Sequence, residues 1–206
     1  MTKKKLRKVS NMIKHLGSGS PVRLFTGGLH GDEWETTTPL LKGLTGPLTG
    51  TLLVMSKVSG NEYMSTLDRD YYTQYAPHLL EAIKEYRPGI YLELHSYSKD
   101  NFSILTGDGR FERHGVPAYI EFEAGVLMGS VSPHIRRDYF SPYDLCVSFE
   151  MPKRPSGQTL EVIGGLLDIV KECWDRDAFV RYMKTHYPEQ TKVAVRNYLR
   201  FYGDMY

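Results

Sequence analysis

Three short, mostly apolar segments constrain the fold of this chain most strongly: residues 51–56, 90–95 and 145–150. Segments of this length and character are typical of strands that are buried on both faces of a sheet. Between the first two, Pro77 begins an amphipathic helical pattern in which Leu79 and Ile83 share a face. Strand, helix and strand joined by short connections indicate a parallel crossover. The sequence therefore predicts an α/β fold of three layers, with a mixed, mostly parallel sheet between helices.

The remaining segments complete this pattern. A first strand is predicted at residues 22–25, behind a flexible Gly- and Ser-rich connector at 17–21. Helices are predicted at residues 34–44, 159–174, 175–183 and 190–202. Two segments are harder to interpret, and we expect a short strand at 102–105 and a helix at 117–128.

Composition bounds the class of protein. The 206 residues are 41% hydrophobic and 24% charged, which is typical of a globular chain, and we expect one domain over 1–206, with a basic tail and connector at 1–20. The sequence contains no run of about 18 apolar residues and no secretory signal pattern, so we expect no membrane span. Two distant cysteines suit a reducing cytoplasm, our predicted location. With a net charge of +2, nucleic-acid binding by the basic tail is an unfavoured alternative.

Four ionisable side chains lie at or just beyond the ends of three predicted strands. His30 and Glu33 follow the first strand in a glycine-lined turn, His95 ends the strand at 90–95, and Glu150 ends the strand at 145–150. Ligand sites in open α/β sheets collect outside the carboxyl ends of the strands. We therefore expect these four side chains to lie close together.

Two histidines and one carboxylate are a ligand set typical of catalytic zinc, which leaves a further position for water. A second carboxylate nearby can then move a proton between water and a leaving nitrogen, and Glu150 is the candidate. Each residue also has an ordinary alternative. His-x-x-Glu is common by chance, His95 could be a hydrogen-bonded structural histidine, and Glu150 a solvated carboxylate or a helix-capping partner.

The motifs resemble those of the zinc carboxypeptidase superfamily, in particular the succinylglutamate desuccinylase/aspartoacylase branch. They are GLHGDE at residues 28–33, LELHS at 92–96 and VSFE at 147–150, in family order across roughly residues 22–152. A small archaeal branch would also be compatible with them. The resemblance implies that His30, Glu33 and His95 bind Zn²⁺ and that Glu150 is the general base and acid.

The resemblance also implies a role for an arginine between the second and third ligands. Arg69, within TLDRDY at residues 66–71, matches the family arginine that contacts the scissile carbonyl oxygen or a substrate carboxylate. Its alternative is an ordinary ion pair with Asp68 or Asp70. Asp68 replaces the family's asparagine, the loop at 61–69 is shorter than in aspartoacylases, and a second family arginine is missing, so an N-acyl-aspartate-like substrate is less expected. Glu93 replaces the family's aspartate, which leaves the metal site intact.

A loop at residues 130–144 contains further candidates. Tyr139 or Tyr143 could cover the site as a tyrosine does in carboxypeptidases, and His134, Arg136 and Arg137 could contact substrate or simply be solvated. The prediction is a zinc-dependent hydrolase that cleaves an amide bond in a small molecule or peptide, as a deacylase or a carboxypeptidase-like enzyme. The alternative is a metal- or ligand-binding protein that retains the fold without turnover.

Overall fold

A mixed seven-stranded sheet forms the centre of the protein. The structure is a computed structural model that describes residues 12–60 and 62–203. Its strands lie in the order β1-β3-β2-β4-β7-β6-β5, and β3, β2, β4 and β7 run parallel to one another. The outer strands β1, β6 and β5 pair antiparallel with their neighbours. The strands are β1 (Lys14–Ser18), β2 (Val22–Gly27), β3 (Gly50–Met55), β4 (Ile90–Tyr97), β5 (Ile120–Glu121), β6 (Leu127–Gly129) and β7 (Leu145–Pro152).

Helices connect these strands. The crossover from β3 to β4 contains two of them, and both strands pair with β2, which lies between them. The helices are α1 (Trp34–Gly43), α2 (Tyr71–Gln74), α3 (Pro77–Tyr86), α4 (Phe102–Thr106), α5 (Arg110–His114), α6 (Pro133–Tyr139), α7 (Gly157–Glu172), α8 (Arg176–His186) and α9 (Pro188–Tyr202).

Helices cover both faces of the sheet, because alternate side chains of the central strands enter two separate apolar clusters. On β4, Leu92 packs in a cluster with Leu166 of α7, whereas its neighbour Tyr91 packs in a cluster with Leu79 of α3 and Ile135 of α6. Successive side chains of a strand point to opposite faces. A sheet that is buried on both faces therefore needs apolar residues at the odd as well as the even positions of its strands. The predicted three-layer α/β fold is therefore confirmed.

The central elements agree with the sequence-based expectations. The strands predicted at 51–56, 90–95 and 145–150 are β3, β4 and β7, and the helix predicted from Pro77 is α3. The helices expected at 34–44, 159–174, 175–183 and 190–202 are present as α1, α7, α8 and α9, with ends shifted by a few residues.

Three predictions of peripheral elements were wrong. The segment predicted as a connector starts with Gly17 and Ser18, which are the last two residues of β1. Both pair with β3, although neither residue type favours strands. Residues 102–105 form α4 rather than a strand, and residues 117–128 contain β5 and most of β6 rather than a helix. The basic residues of the N-terminus, 1–8, lie outside the described residues, and the single domain stays a prediction.

No helix of the described residues is both long and apolar enough to cross a membrane.

Candidate metal centre

The turn after β2 presents His30 and Glu33 at the carboxyl edge of the sheet. Gly28 and Gly31 adopt left-handed backbone conformations, with φ of 58° and 57°, which glycine adopts without steric cost. A Cβ on Gly28 would lie 2.7 Å from the Cβ of Trp34, so the first turn of α1 requires glycine there. The Leu29 carbonyl accepts hydrogen bonds from the hydroxyls of Ser59 and Tyr71, which fix the turn against the following loop.

Three potential ligands meet at this turn. Nδ1 of His95 lies 3.2 Å from both carboxylate oxygens of Glu33, and Nδ1 of His30 lies 3.5 Å from Oε1 of Glu33. One ligand atom from each of the three residues lies within 4.8 Å of the other two. Glu33 and His95 are each only 3% exposed, so the cluster is not an accidental grouping of surface side chains. The structure therefore brings together the three residues that the sequence places at two strand ends.

A carboxylate on the other side of the His95 ring holds that ring in place. Nε2 of His95 lies 3.3 Å from Oε2 of Glu93, and Oε1 of Glu93 accepts hydrogen bonds from the hydroxyls of Tyr72 at 2.9 Å and Tyr91 at 2.7 Å. Metal-bound histidines usually donate their second ring N–H to such a group, which fixes the tautomer and the ring orientation. The contact follows from strand geometry, because residues two apart on β4 share a face.

The two histidines have opposite pKa displacements. Burial lowers the pKa of His30, more than the charge of Glu33 raises it. Burial also acts to lower the pKa of His95, but Glu33 and Glu93 beside its two nitrogens raise it well above the ordinary value. The two carboxylates thus favour protonation of His95, whereas a ligating imidazole must offer a free lone pair to the metal.

Glu150 lies beside this cluster on the neighbouring strand. It is the register partner of His95 in the β4–β7 pair, and its side chain is buried. Burial raises the pKa of Glu150 from 4.5 to about 7, although the charge of His95 acts in the opposite direction. A carboxyl group with a pKa near neutrality can both accept and donate a proton at physiological pH.

These side chains line one cavity of about 170 Å³. His30, Glu33, His95 and Glu150 all contribute to its wall. A larger, mostly apolar cavity of about 370 Å³ lies between the sheet and helices α8 and α9. Of the sequence-predicted candidates it is lined by Arg136, but among the described residues its wall contains none of the predicted metal ligands and not Glu150. The smaller cavity is therefore the candidate site.

Arg69 does not reach this cavity in the described structure. It is exposed in the loop before α2 and is absent from the described residues that line the cavity wall. The role that the family resemblance implies for it stays a prediction. The position of this side chain does not support that role.

The tyrosines of the 130–144 segment do not line the cavity either, among the described residues. Tyr143 is 79% exposed, and the Tyr139 ring lies 5.3 Å from the ammonium of Lys84. Arg136 is buried and donates to the carbonyl oxygens of Ser141 and Pro142. Its observed contacts therefore stabilise the loop.

Sequence reasoning missed several cavity residues. Arg110 and Tyr119 lie in segments that carry no recognisable motif, and only their long-range packing brings them to the cavity. Ser96 follows His95 directly; its hydroxyl is buried in the cavity wall and has no hydrogen-bond partner among the described residues. Asp32, within the turn motif, forms an ion pair with Lys153 at the cavity wall.

The donor set fits a metal ion. Two imidazole nitrogens and one carboxylate, within reach of one another, match the three protein ligands of a catalytic zinc site, and an adjacent carboxylate orients one of the imidazoles. The candidate metal centre is defined by His30, Glu33 and His95.

Two solved structures resemble this fold weakly. A metallo-carboxypeptidase from Burkholderia cenocepacia has a TM-score of 0.41 and 12% identity, covering 88% of this chain and 68% of that one. A metallo-carboxypeptidase from Pseudomonas aeruginosa in complex with (2-guanidinoethylmercapto)succinic acid has a TM-score of 0.38 and 10% identity over the same shares. Likenesses of this size carry no argument about chemistry, and the desuccinylase/aspartoacylase branch stays a prediction.

Sequence similarity shows, as the weak structural likenesses do not, which family this chain belongs to. The "Uncharacterized protein MJ0501" of Methanocaldococcus jannaschii is 34% identical over 194 residues, which cover 91% of this chain and 94% of that protein. The family described as "Uncharacterized protein conserved in archaea (DUF2119)" matches residues 18–203. That match covers most of the chain, metal centre included, and the chain therefore belongs to the DUF2119 family.

Proposed function

We propose that this protein is a zinc-dependent hydrolase that cleaves an amide bond in a small substrate. The observation that carries the proposal is the meeting of His30, Glu33 and His95 beside the buried carboxyl group of Glu150, in one cavity at the carboxyl edge of the sheet. Structural metal sites usually have four protein ligands and are closed, whereas catalytic zinc sites have three and remain open to a cavity. This cluster has the second arrangement.

His30, Glu33 and His95 would hold the ion. Zn²⁺ bound there would supply Lewis acidity toward a carbonyl oxygen and toward water, whose pKa falls to about 7 in such sites. Glu93 would keep the His95 ring in the ligating orientation through the contact at Nε2. Tyr72 and Tyr91 in turn hold Glu93, so this support is itself buried and hydrogen-bonded.

Glu150 would move the proton. Amide hydrolysis adds water to the carbonyl carbon and breaks the C–N bond, so one proton must leave the water and one must reach the departing nitrogen. The pKa of about 7 lets the Glu150 carboxylate accept the first proton and return it to nitrogen as a carboxylic acid. The products are then a carboxylic acid and an amine.

The size of the cavity favours a small substrate. Pockets for drug-sized ligands measure roughly 300–1,000 Å³, and a dry protein cavity of roughly 150 Å³ holds benzene. At about 170 Å³, the cavity accommodates a small acylated molecule or the end of a peptide. This supports a deacylase or a peptidase of very short substrates.

Hydrolysis assays on a panel of N-acyl amino acids and dipeptides test this proposal. We expect turnover by the zinc-loaded protein, and Glu150→Gln should reduce kcat by at least 100-fold, because general acid–base catalysis contributes about 10²- to 10⁴-fold. Zinc content should remain unchanged in that variant. Glu121→Gln, which alters an exposed carboxylate on β5, is the matched control and should retain activity.

Two results would count against the proposal. A zinc-loaded protein that turns over no member of the panel would favour the alternative of a metal- or ligand-binding protein without catalysis. Full activity of Glu150→Gln would show that another group moves the proton.

A further inference from the structure

Three large apolar side chains are exposed at the amino edge of the sheet, where the parallel strands begin and which lies opposite the metal centre. Leu48, in the loop before β3, is 90% exposed, and Tyr143, in the loop before β7, is 79% exposed. Trp174, between α7 and α8, is 59% exposed. Single exposed apolar side chains are ordinary on protein surfaces. These three are connected by direct contacts, and we call them the amino-edge patch.

The loops that carry the patch are fastened to one another through the two residues that flank Trp174 at a distance of two positions. The backbone N–H of Leu48 donates to Oε2 of Glu172, the last residue of α7, at 3.0 Å. The guanidinium carbon of Arg176, the first residue of α8, lies 6.0 Å from the ring centroid of Tyr143. Leu48 and Tyr143 are thereby brought to opposite sides of Trp174.

A buried arginine holds two of these loops in place. Arg23 of β2 has no exposed surface, and its Nε and Nη2 donate to the carbonyl oxygen of Cys173 at 3.0 and 2.8 Å. Its Nη1 donates to the carbonyl oxygen of Thr49 at 2.9 Å. These carbonyl groups belong to the residues next to Trp174 and Leu48, so one guanidinium fixes the backbone beside both. A surface that is ordered in advance loses less entropy when a partner covers it.

The charges beside Trp174 are complementary to themselves. Glu172 lies two residues before it and Arg176 two residues after it, and their side chains are 36% and 32% exposed. In a contact between identical copies related by a twofold axis, each residue on one side of the axis meets its counterpart from the other side. In a contact centred on Trp174, Arg176 would therefore meet Glu172 of the partner subunit, and the same pair would form twice.

We propose that the amino-edge patch is a dimer interface between two copies of this chain, with Trp174 at its centre and the Arg176–Glu172 pairs at its rim. Tryptophan and tyrosine are enriched where interfaces gain most of their binding energy, whereas rim charges mainly set orientation and exclude wrong partners. The metal-centre cavity lies at the opposite edge of the sheet and stays open in this dimer. The inference does not depend on the proposed function.

Analytical ultracentrifugation of the 206-residue chain over a concentration series tests the interface. The wild-type protein should form a dimer that dissociates on dilution. Trp174→Asp should raise the dissociation constant at least about 30-fold, the effect of losing an interface hot spot. Leu160→Asp is the matched control, because it changes an exposed leucine near the other end of α7, and it should dimerise like the wild type. Trp174→Ser is the second variant if Trp174→Asp lacks a native circular dichroism spectrum.

A charge swap tests the arrangement of the rim. Arg176→Glu brings two carboxylates together at both rim pairs, and Glu172→Arg brings two guanidinium groups together. Each variant alone should dimerise at least about tenfold more weakly than the wild type, because like charges face each other. An equimolar mixture of the two should form heterodimers with nearly wild-type affinity, since opposite charges meet again at both pairs.

Four results would overturn the inference. They are a wild-type protein that stays monomeric throughout the concentration series, a Trp174→Asp variant that dimerises like the wild type, an equal loss in Leu160→Asp, or a mixture of the charge variants that associates no more strongly than either variant alone. The first would show that no second copy covers the patch, and the last would show that the two copies do not meet around Trp174 as proposed.

Discussion

Replacing Glu150 by Gln should stabilise the metal-free protein, and the gain should grow with pH. The Glu150 carboxyl has a pKa of about 7 in the folded protein against 4.5 ordinarily, chiefly because of burial. Below pH 4.5 the carboxyl group is mostly protonated in both the folded and the unfolded protein, so its raised pKa does not lower the free energy of unfolding. Between pH 4.5 and 7 the unfolded chain releases the proton first, so the wild-type protein loses stability as pH rises.

The size of the effect follows from that displacement. One pH unit corresponds to about 1.4 kcal/mol, so ionising Glu150 in the folded protein costs about 3 kcal/mol above pH 7. Glutamine has nearly the same shape and cannot ionise. The free energy of unfolding of Glu150→Gln should therefore exceed that of the wild type by about 3 kcal/mol more at pH 8 than at pH 4.5.

Urea unfolding in the presence of a chelator, at pH 4.5, 6 and 8, measures this difference. Taking the difference between variant and wild type removes the titration of groups common to both. The control Glu121→Gln alters an exposed carboxylate and should show a difference that is nearly independent of pH. A difference for Glu150→Gln that is equally flat, or that falls as pH rises, would refute the reasoning.

Three further predictions concern the structure around the site. Ser96→Ala should stabilise the ligand-free protein by about 1 kcal/mol in urea unfolding, because it removes a buried hydroxyl without a partner among the described residues; destabilisation would contradict this. Glu93→Gln should weaken zinc binding about 10- to 100-fold in competition with a chelator, because His95 loses its charged partner, and an unchanged affinity would argue against that support. Gly28→Ala should lower the free energy of unfolding by more than about 2 kcal/mol, since strain at positive φ adds to a clash with α1. Gly19→Ala, at a φ of 83° with no atom within 4 Å, should cost only the strain, and equal losses would contradict the clash.

The core of the fold could be predicted because its signals are local. Strands β3, β4 and β7 are short apolar segments, and the pattern of α3 repeats at helical spacing. The strand β1 could not be predicted, since Gly17 and Ser18 carry no strand preference and pair with β3 through their backbone. The segment 117–128 forms strands because it completes the edge of the sheet next to β7, which is a tertiary effect.

The metal centre was predictable for a related reason. Parallel strands bring their carboxyl ends to one edge, so the positions of His30, Glu33, His95 and Glu150 at strand ends implied their proximity. Nothing local marks Arg110, which reaches the cavity through the packing of α5 against Tyr119. Arg69 shows the opposite case: its sequence motif suggested a role at the site, but its exposed position does not support that role.

The most direct test of the metal centre is a crystal structure of the zinc-loaded protein with anomalous diffraction measured at the zinc edge. The expected result is one strong peak within coordination distance of His30, Glu33 and His95, with Glu150 facing the same cavity. His95→Ala crystals treated in the same way should lose that peak. A peak elsewhere, or no peak at these three residues in the wild-type protein, would contradict the account.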